Sequence, residues 1–134
     1  MEDKEEALEE QTLAGGFRSH SSGFEILSDL ANGSENKFAA ELLTSLAHAT
    51  RVRIVNLLRK EPLSVSQITA GLQISQANAS QHLAVLLRSG ALARASNGTT
   101  RLYSLRDPSV AKVLDIIEEF RQAHREDLAA ELVG

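Results

Sequence analysis

The sequence predicts a mainly α-helical fold with one small β-hairpin, in the order α-α-α-α-β-β-α. Apolar residues recur at helical spacing in successive segments, and capping residues separate these segments. Two short alternating runs near the C-terminal third flank Asn97-Gly98, a pair that favours a tight turn between antiparallel strands. The chain has 134 residues, 43% of them hydrophobic, which is enough for one domain to bury a core.

The first two helices are predicted over residues 36–47 and 50–60. Ser34 is a suitable N-cap for the first helix. The second ends before Pro62, because proline disfavours helical geometry in the residue that precedes it. Their apolar positions are Phe38, Leu42, Leu43, Leu46, Val52, Ile54, Val55, Leu57 and Leu58.

Two shorter helices follow at close spacing. The segment Ser64–Gln67 is a capping box and opens a helix over 65–72. Ser75 caps the next helix, over 76–89, which ends at Gly90, a residue suited to a left-handed C-terminal position. Two helices joined by so tight a turn form a helix-turn-helix unit.

The hairpin and one long helix complete the chain. The strands lie on either side of Ser96–Thr99 and form a wing beside the helix-turn-helix unit. Asp107 and Pro108 are a cap and a first helical residue for a helix over 108–132. Its apolar stripe is Val110, Val113, Leu114, Ile117, Phe120 and Leu128.

Charge is distributed unevenly along the chain, although the net charge is only −4. Residues 1–48 carry −7, residues 49–106 carry +7 and residues 107–134 carry −4. From Pro62 to Arg106 there is no Asp or Glu. A surface that lies on a polyanion excludes carboxylates, so this segment favours a nucleic-acid partner. Chance, or burial of the middle segment, is the alternative explanation.

Composition excludes several other classes of protein. The absence of cysteine rules out disulfide scaffolds, thiolate catalysis and metal sites built on sulfur. Apolar runs are too short for a membrane span, and the acidic N-terminus is unlike a secretory signal, so we expect a cytoplasmic protein. Gly-rich phosphate loops and catalytic motifs are missing, so we expect no enzyme.

Helix 76–89 has the pattern of a recognition helix. Its outward face combines small residues with Asn78 and Gln81, and it ends with Arg88. Amide side chains can bond bidentately to adenine edges in the major groove. Arg94 and Arg101 flank the hairpin tip, within reach of phosphates or the minor groove. An ordinary amphipathic helix and solvated arginines are the alternatives, and Arg51 and Arg53 are equally suited to internal ion pairs.

These segments resemble the ArsR/SmtB family of winged-helix bacterial repressors. The resemblance covers residues 36–120 and is carried by LAHATRVRIVNLL, by LSVSQITAGLQISQANASQHLAVLLRSGALA and by Tyr103-Ser104-Leu105. It implies a homodimer formed by the first and last helices, with Phe38, Leu42, Val113, Ile117 and Phe120 at the interface. With the residues argued above, the predicted DNA-binding set is Ser75, Gln76, Asn78, Ser80, Gln81, His82, Arg88, Arg94, Asn97, Gly98 and Arg101.

The resemblance leaves the effector open. Thiolate-based metal sensors of the family open the third helix with Cys-Val-Cys, whereas this chain has Ser64-Val65-Ser66, and hydroxyls do not replace thiolates for soft metals. His124 and Asp127 could be half of a site for zinc or nickel, but Ala111 and Val113 occupy the matching ligand positions. We therefore predict no metal and no cofactor.

The sequence is thus interpreted as a dimeric, sequence-specific repressor that binds double-stranded DNA at an imperfect palindromic operator and is released by an unidentified effector. Residues 1–35 are predicted to be an acidic, flexible extension, 36–106 the DNA-binding core and 107–134 the dimerisation helix. Two alternatives stay open: a regulator of this fold with a non-thiolate metal effector, and a protein-interaction module that has lost DNA binding.

Overall fold

The computed structural model describes residues 23–133. The predictions for residues 1–22, an acidic run followed by a Gly- and Ser-rich stretch, lie outside the described residues. The chain divides into two compact units, residues 1–40 and 41–134, which are described separately below.

The described part of the first unit is helical. Helix α1 spans Gly23–Asn32, and helix α2 spans Ser34–Leu46 and continues into the second unit. The side-chain amide of Asn36 donates to the Leu30 carbonyl across the bend at Gly33. The predicted extension over residues 1–35 therefore contains α1 and the first two residues of α2. Ser34 is the first helical residue rather than the N-cap, so α2 begins two residues earlier than predicted.

The second unit contains the end of α2, five further helices after it in the described residues and a two-stranded hairpin. They are α3 (Ala49–Leu57), α4 (Val65–Leu72), α5 (Gln76–Ser89), β1 (Leu92–Asn97), β2 (Thr100–Leu105), α6 (Ser109–Ala123) and α7 (Arg125–Val133). The core is aliphatic, and its fully buried large side chains are Ile54, Val55, Ile68, Leu83, Leu86 and Leu92. This core fixes α5 and the hairpin on one compact body.

Local capping explains where α4 and α5 begin. The Ser64 hydroxyl accepts from the Gln67 amide, and the Gln67 side chain accepts from the Ser64 amide, so the predicted capping box is confirmed. The Ser75 hydroxyl accepts from the Asn78 amide at 3.0 Å and caps α5. Gly90 ends α5 with φ of 90°, in the left-handed region that glycine adopts without strain.

The predicted hairpin is confirmed, but β1 runs two residues further than predicted and the turn is different. Asn97 pairs with Thr100, so Gly98 and Thr99 are the two loop residues, whereas the sequence suggested Asn97 and Gly98. Gly98 has φ of 70°, as the first position of a type II′ turn requires. Strand β2 also pairs with Leu63 through both backbone bonds to Tyr103, which anchors the wing to the turn before α4.

The C-terminal segment is two helices instead of the predicted single helix over 108–132. Helix α6 ends at His124, whose φ of −120° leaves helical geometry, and α7 begins at Arg125. Acidic Glu126 and Asp127 occupy the first turn of α7, where they complement the helix dipole of a new N-terminus. At the start of α6, the Asp107 carboxylate accepts from the Ser109 amide at 2.9 Å, but Pro108 is the N-cap and the helix begins at Ser109, one residue later than predicted.

Candidate nucleic-acid interface

Helix α5 has a buried face and an outward face, as the sequence predicted. Ala79, Leu83 and Leu86 are buried in the core. The side chains of Gln76 and Asn78 in the first turn and Gln81 in the second are exposed. The hydroxyl of Ser75 serves as the cap, while Ser80 is exposed on the flank of the helix. The structure thus presents three amide side chains on a surface with no carboxylate.

The two wing arginines point the same way. In the antiparallel register, Ser96 lies opposite Arg101 and Arg94 lies opposite Tyr103, so both arginines project from one face of the hairpin. Both are exposed, as are Asn97 and the turn after it. Within residues 23–133, the guanidinium group of neither arginine has a hydrogen-bond or ion-pair partner. Arg88, exposed in the last turn of α5, is equally unpaired there.

The other arginines between residues 49 and 106 serve the fold. The Arg51 guanidinium donates to the Ser45 carbonyl, and Arg53 donates to the Leu72 carbonyl at 2.9 Å. Arg106 donates to the Gly90 carbonyl at 2.8 Å, and Arg59 forms an ion pair with Asp115 at 2.9 Å. Internal ion pairs were the predicted alternative for Arg51 and Arg53, but both bond to carbonyl oxygens at helix ends.

His82 lies at the edge of α5 and turns towards α3. Its Nδ1 is 3.1 Å from Nη1 of Arg51, and its ring centroid is 4.4 Å from that of His48. The pKa of His82 is lowered from its ordinary value of 6.5, first by partial burial and then by the nearby His48 and Arg51. The structure therefore separates His82 from the exposed amides with which the sequence grouped it. No sequence signal indicates this contact, because Arg51 and His82 are 31 positions apart.

The residues predicted for the dimer interface fall into two groups. Leu42 and Val113 are half-buried and pack against the core, so they support the helices from within. Phe38, Ile117 and Phe120 expose 62%, 55% and 58% of their surface, respectively. Leu43 and Ile116 are also exposed, although the predicted interface left them out, because position on an apolar stripe does not reveal which members face outward.

A metal centre finds little support in the described residues. Across residues 23–133, no three His, Asp or Glu side chains converge on one point. The ring of His124 packs on Phe120, with the centroids 4.6 Å apart. No helix in the part of the chain that the structure describes is long and apolar enough to cross a membrane.

Comparison with known proteins points to one family. The family model described as "Bacterial regulatory protein, arsR family" matches residues 48–92, from the cap of α3 to the start of β1. The uncharacterized HTH-type transcriptional regulator Rv0081 of Mycobacterium tuberculosis is 35% identical over 81 residues, 60% of this chain and 71% of the relative. The transcriptional repressor PagR of Bacillus anthracis is 38% identical over 79 residues, 58% of this chain and 79% of PagR.

Solved structures agree with the sequence matches. The crystal structure of Rv0081 superposes with a TM-score of 0.64 and 29% identity, covering 73% of this chain and 99% of that one. The homodimeric winged helix-turn-helix DNA-binding domain Mb0332 of Mycobacterium bovis, 21% identical, has the same fold with a TM-score of 0.65, over 82% of this chain and 95% of that one. Rv0081 and PagR are named as transcriptional regulators, which are not enzymes.

Proposed function

The chain belongs to the ArsR family of bacterial regulatory proteins, and from this premise we propose that it is a homodimeric repressor that binds an imperfect palindromic operator. The observation that carries the proposal is the exposed amide surface of α5. Gln76, Asn78 and Gln81 are free to bond to base edges, and the core behind them holds the helix rigidly. Their exposure argues against the protein-interaction alternative, which needs no such surface.

The wing supplies the sequence-independent part of the binding. Arg94 and Arg101 on one face, with Arg88 at the end of α5, are cations that have no described partner inside the protein. Such cations gain most from phosphate, because binding releases the counterions of the duplex. Ser75, Ser80, Asn97 and Gly98 border this surface, where hydroxyl and backbone groups can position the duplex without reading its sequence.

A two-fold dimer would place two copies of α5 on successive major grooves, about 34–36 Å apart, and for this reason we propose a palindromic operator. The exposed Ile117 and Phe120 support an interface through α6, because large apolar side chains left in water are costly. Ile117→Glu should convert the dimer to monomers in sedimentation experiments, whereas Lys112→Glu, on the exposed side of the same helix, should not. A dimer that survives Ile117→Glu would place the interface elsewhere.

We assign DNA binding and dimerisation to the parts of the chain that the sequence predicted for them. Residues 36–106 bind DNA and residues 107–134 join the two copies. Release by an effector is part of the proposal. With hydroxyls at Ser64 and Ser66, the effector is not a soft metal bound at the start of α4.

The direct test is selection of bound fragments from the genomic DNA of the source organism by the full-length protein. We expect recovery of a small set of promoter fragments that share one inverted repeat. Gln81→Ala should lose this enrichment while it still binds mixed-sequence duplex. If the wild-type protein recovers fragments without a common sequence, or retains no duplex at low salt, the proposed function is wrong.

A further inference from the structure

We propose that His82 is a positioning residue, which acts on DNA binding through Arg51 and only while its imidazole is neutral. The inference rests on the proposed function. In it, His82 does not touch DNA, although it lies next to Gln81 in the recognition helix. It holds α5 in the orientation that presents the amide side chains.

The geometry links three elements through one guanidinium. Arg51, in the first turn of α3, donates through Nε to the Ser45 carbonyl and through Nη2 to the Thr44 carbonyl, both near the end of α2. Its Nη1 lies 3.1 Å from Nδ1 of His82 in α5. Arg51 therefore ties α5 to the end of α2. A rotation of α5 against α2 must break this set of bonds.

The chemistry of the contact sets the protonation state of His82. A guanidinium only donates hydrogen bonds, so Nδ1 of His82 must accept, and the ring proton must sit on Nε2. His48 is held in the same way, because its Nδ1 accepts from the Thr50 amide to cap α3. The ionisable groups that act on His82 are thus His48, at the start of α3, and Arg51 within it.

Acidification should release the contact. A protonated His82 has no acceptor for Arg51 and adds a cation beside the guanidinium and the His48 ring. The lowered pKa of His82 agrees with this direction, since the folded state favours the neutral ring. The contribution of the contact to folding is complete above about pH 6.5 and is lost as the pH falls through the lower folded-state pKa.

The experiment compares DNA affinity and pH dependence in three full-length proteins. The wild type, His82→Gln and His82→Leu are titrated with the strongest duplex recovered in the selection described above, at about pH 8 and about pH 5.5. Glutamine can accept from Arg51 without titrating, whereas leucine cannot accept. His124→Gln, which removes the histidine between α6 and α7, is the matched control.

We expect His82→Gln to bind like the wild type at about pH 8 and His82→Leu to bind roughly tenfold more weakly, equivalent to about 1.4 kcal/mol. On acidification, the wild type should lose roughly tenfold in affinity relative to His82→Gln. A wild type that gains affinity relative to His82→Gln would make His82 a phosphate contact and overturn the inference. Identical pH profiles of the two proteins would also overturn it.

Two further measurements distinguish a failure of this inference from a failure of the proposed function or of folding. If the wild type binds no recovered duplex at about pH 8, the proposed function itself fails. If His82→Leu does not fold, ¹⁵N spectra of wild-type imidazoles test the contact directly. Neutral His82 must carry its proton on Nε2 and titrate below 6.5. A proton on Nδ1 would overturn the inference without reference to DNA.

Discussion

Removal of both wing arginines should make DNA binding much less sensitive to salt. Arg94 and Arg101 project from one face of the hairpin, and their guanidinium groups have no hydrogen-bond or ion-pair partner within residues 23–133. Each cation that neutralises a phosphate contributes about −0.9 to the slope of log K against log salt. The number of unpaired cations therefore sets the slope, and the structure supplies that number.

The expected salt slope depends strongly on which basic residues contact phosphate. On the surface formed by α5 and the wing, Arg88, Arg94 and Arg101 supply six unpaired cations in a two-fold dimer, for a wild-type slope of roughly −5. The Arg94→Ala/Arg101→Ala variant removes four of these, which leaves a slope of roughly −2. If all eight basic residues between positions 49 and 106 met phosphate, the slope would instead approach about −14.

Fluorescence anisotropy of a labelled mixed-sequence duplex, titrated at salt concentrations from about 50 to about 300 mM, measures these slopes. Lys112→Ala removes a charge from the exposed side of α6 and should leave the slope unchanged. A wild-type slope near −14 would mean that the arginines bonded to carbonyls also reach DNA. A double variant with the wild-type slope would remove the wing from the phosphate contacts.

Three further predictions concern single side chains. In competition binding, Gln81→Ala should lose about 1–3 kcal/mol of binding free energy on the selected operator and none on mixed-sequence duplex. Equal losses on both duplexes would contradict base readout. Ser64→Ala should lower the free energy of unfolding by about 1 kcal/mol in thermal denaturation because it breaks the capping box, whereas Ser66→Ala, at an exposed hydroxyl of the same helix, should not. Hydrogen bonds from Arg121 hold the pKa of Glu118 at about 2, so this pair stabilises the folded protein fully above about pH 4.5 and progressively less as the pH falls towards 2. Arg121→Gln should return the pKa of Glu118 towards 4.5 in NMR titrations, and an unchanged pKa would refute the pairing.

The bounds of a helix were predictable where capping residues occupy both of its ends. The bounds of α5 match the prediction because Ser75 caps one end and Gly90 adopts the left-handed conformation at the other. The turn of the hairpin was displaced by one residue, since Asn-Gly and Gly-Thr turns both place Gly98 at positive φ. Only the pairing of Asn97 with Thr100 distinguishes them, and that depends on register along the whole hairpin.

The C-terminal break was not predictable from apolar spacing. Leu128 continues the stripe of Phe120 at helical periodicity, so the pattern read as one helix. Periodicity describes which faces are apolar, whereas a break depends on local backbone geometry. The acidic first turn of α7 was the available sign of a new N-terminus, but the same charges also fit the solvated face of a longer helix.

The positive charge of residues 49–106 has two physical causes, which a count of residues cannot separate. Arg51, Arg53 and Arg106 bond to carbonyl oxygens at the ends of α2, α4 and α5, where a cation complements the helix dipole and a carboxylate would be repelled. The scarcity of acidic residues therefore reflects the packing of short helices as well as an affinity for phosphate. The direction of each side chain distinguishes arginines that bond to carbonyls from arginines that can reach phosphate. Among the arginines of this segment, only Arg88, Arg94 and Arg101 are left to contact the duplex. Because so few cations can contact phosphate, DNA recognition must depend on the uncharged amide side chains of α5. We therefore expect binding that depends only weakly on salt and strongly on sequence.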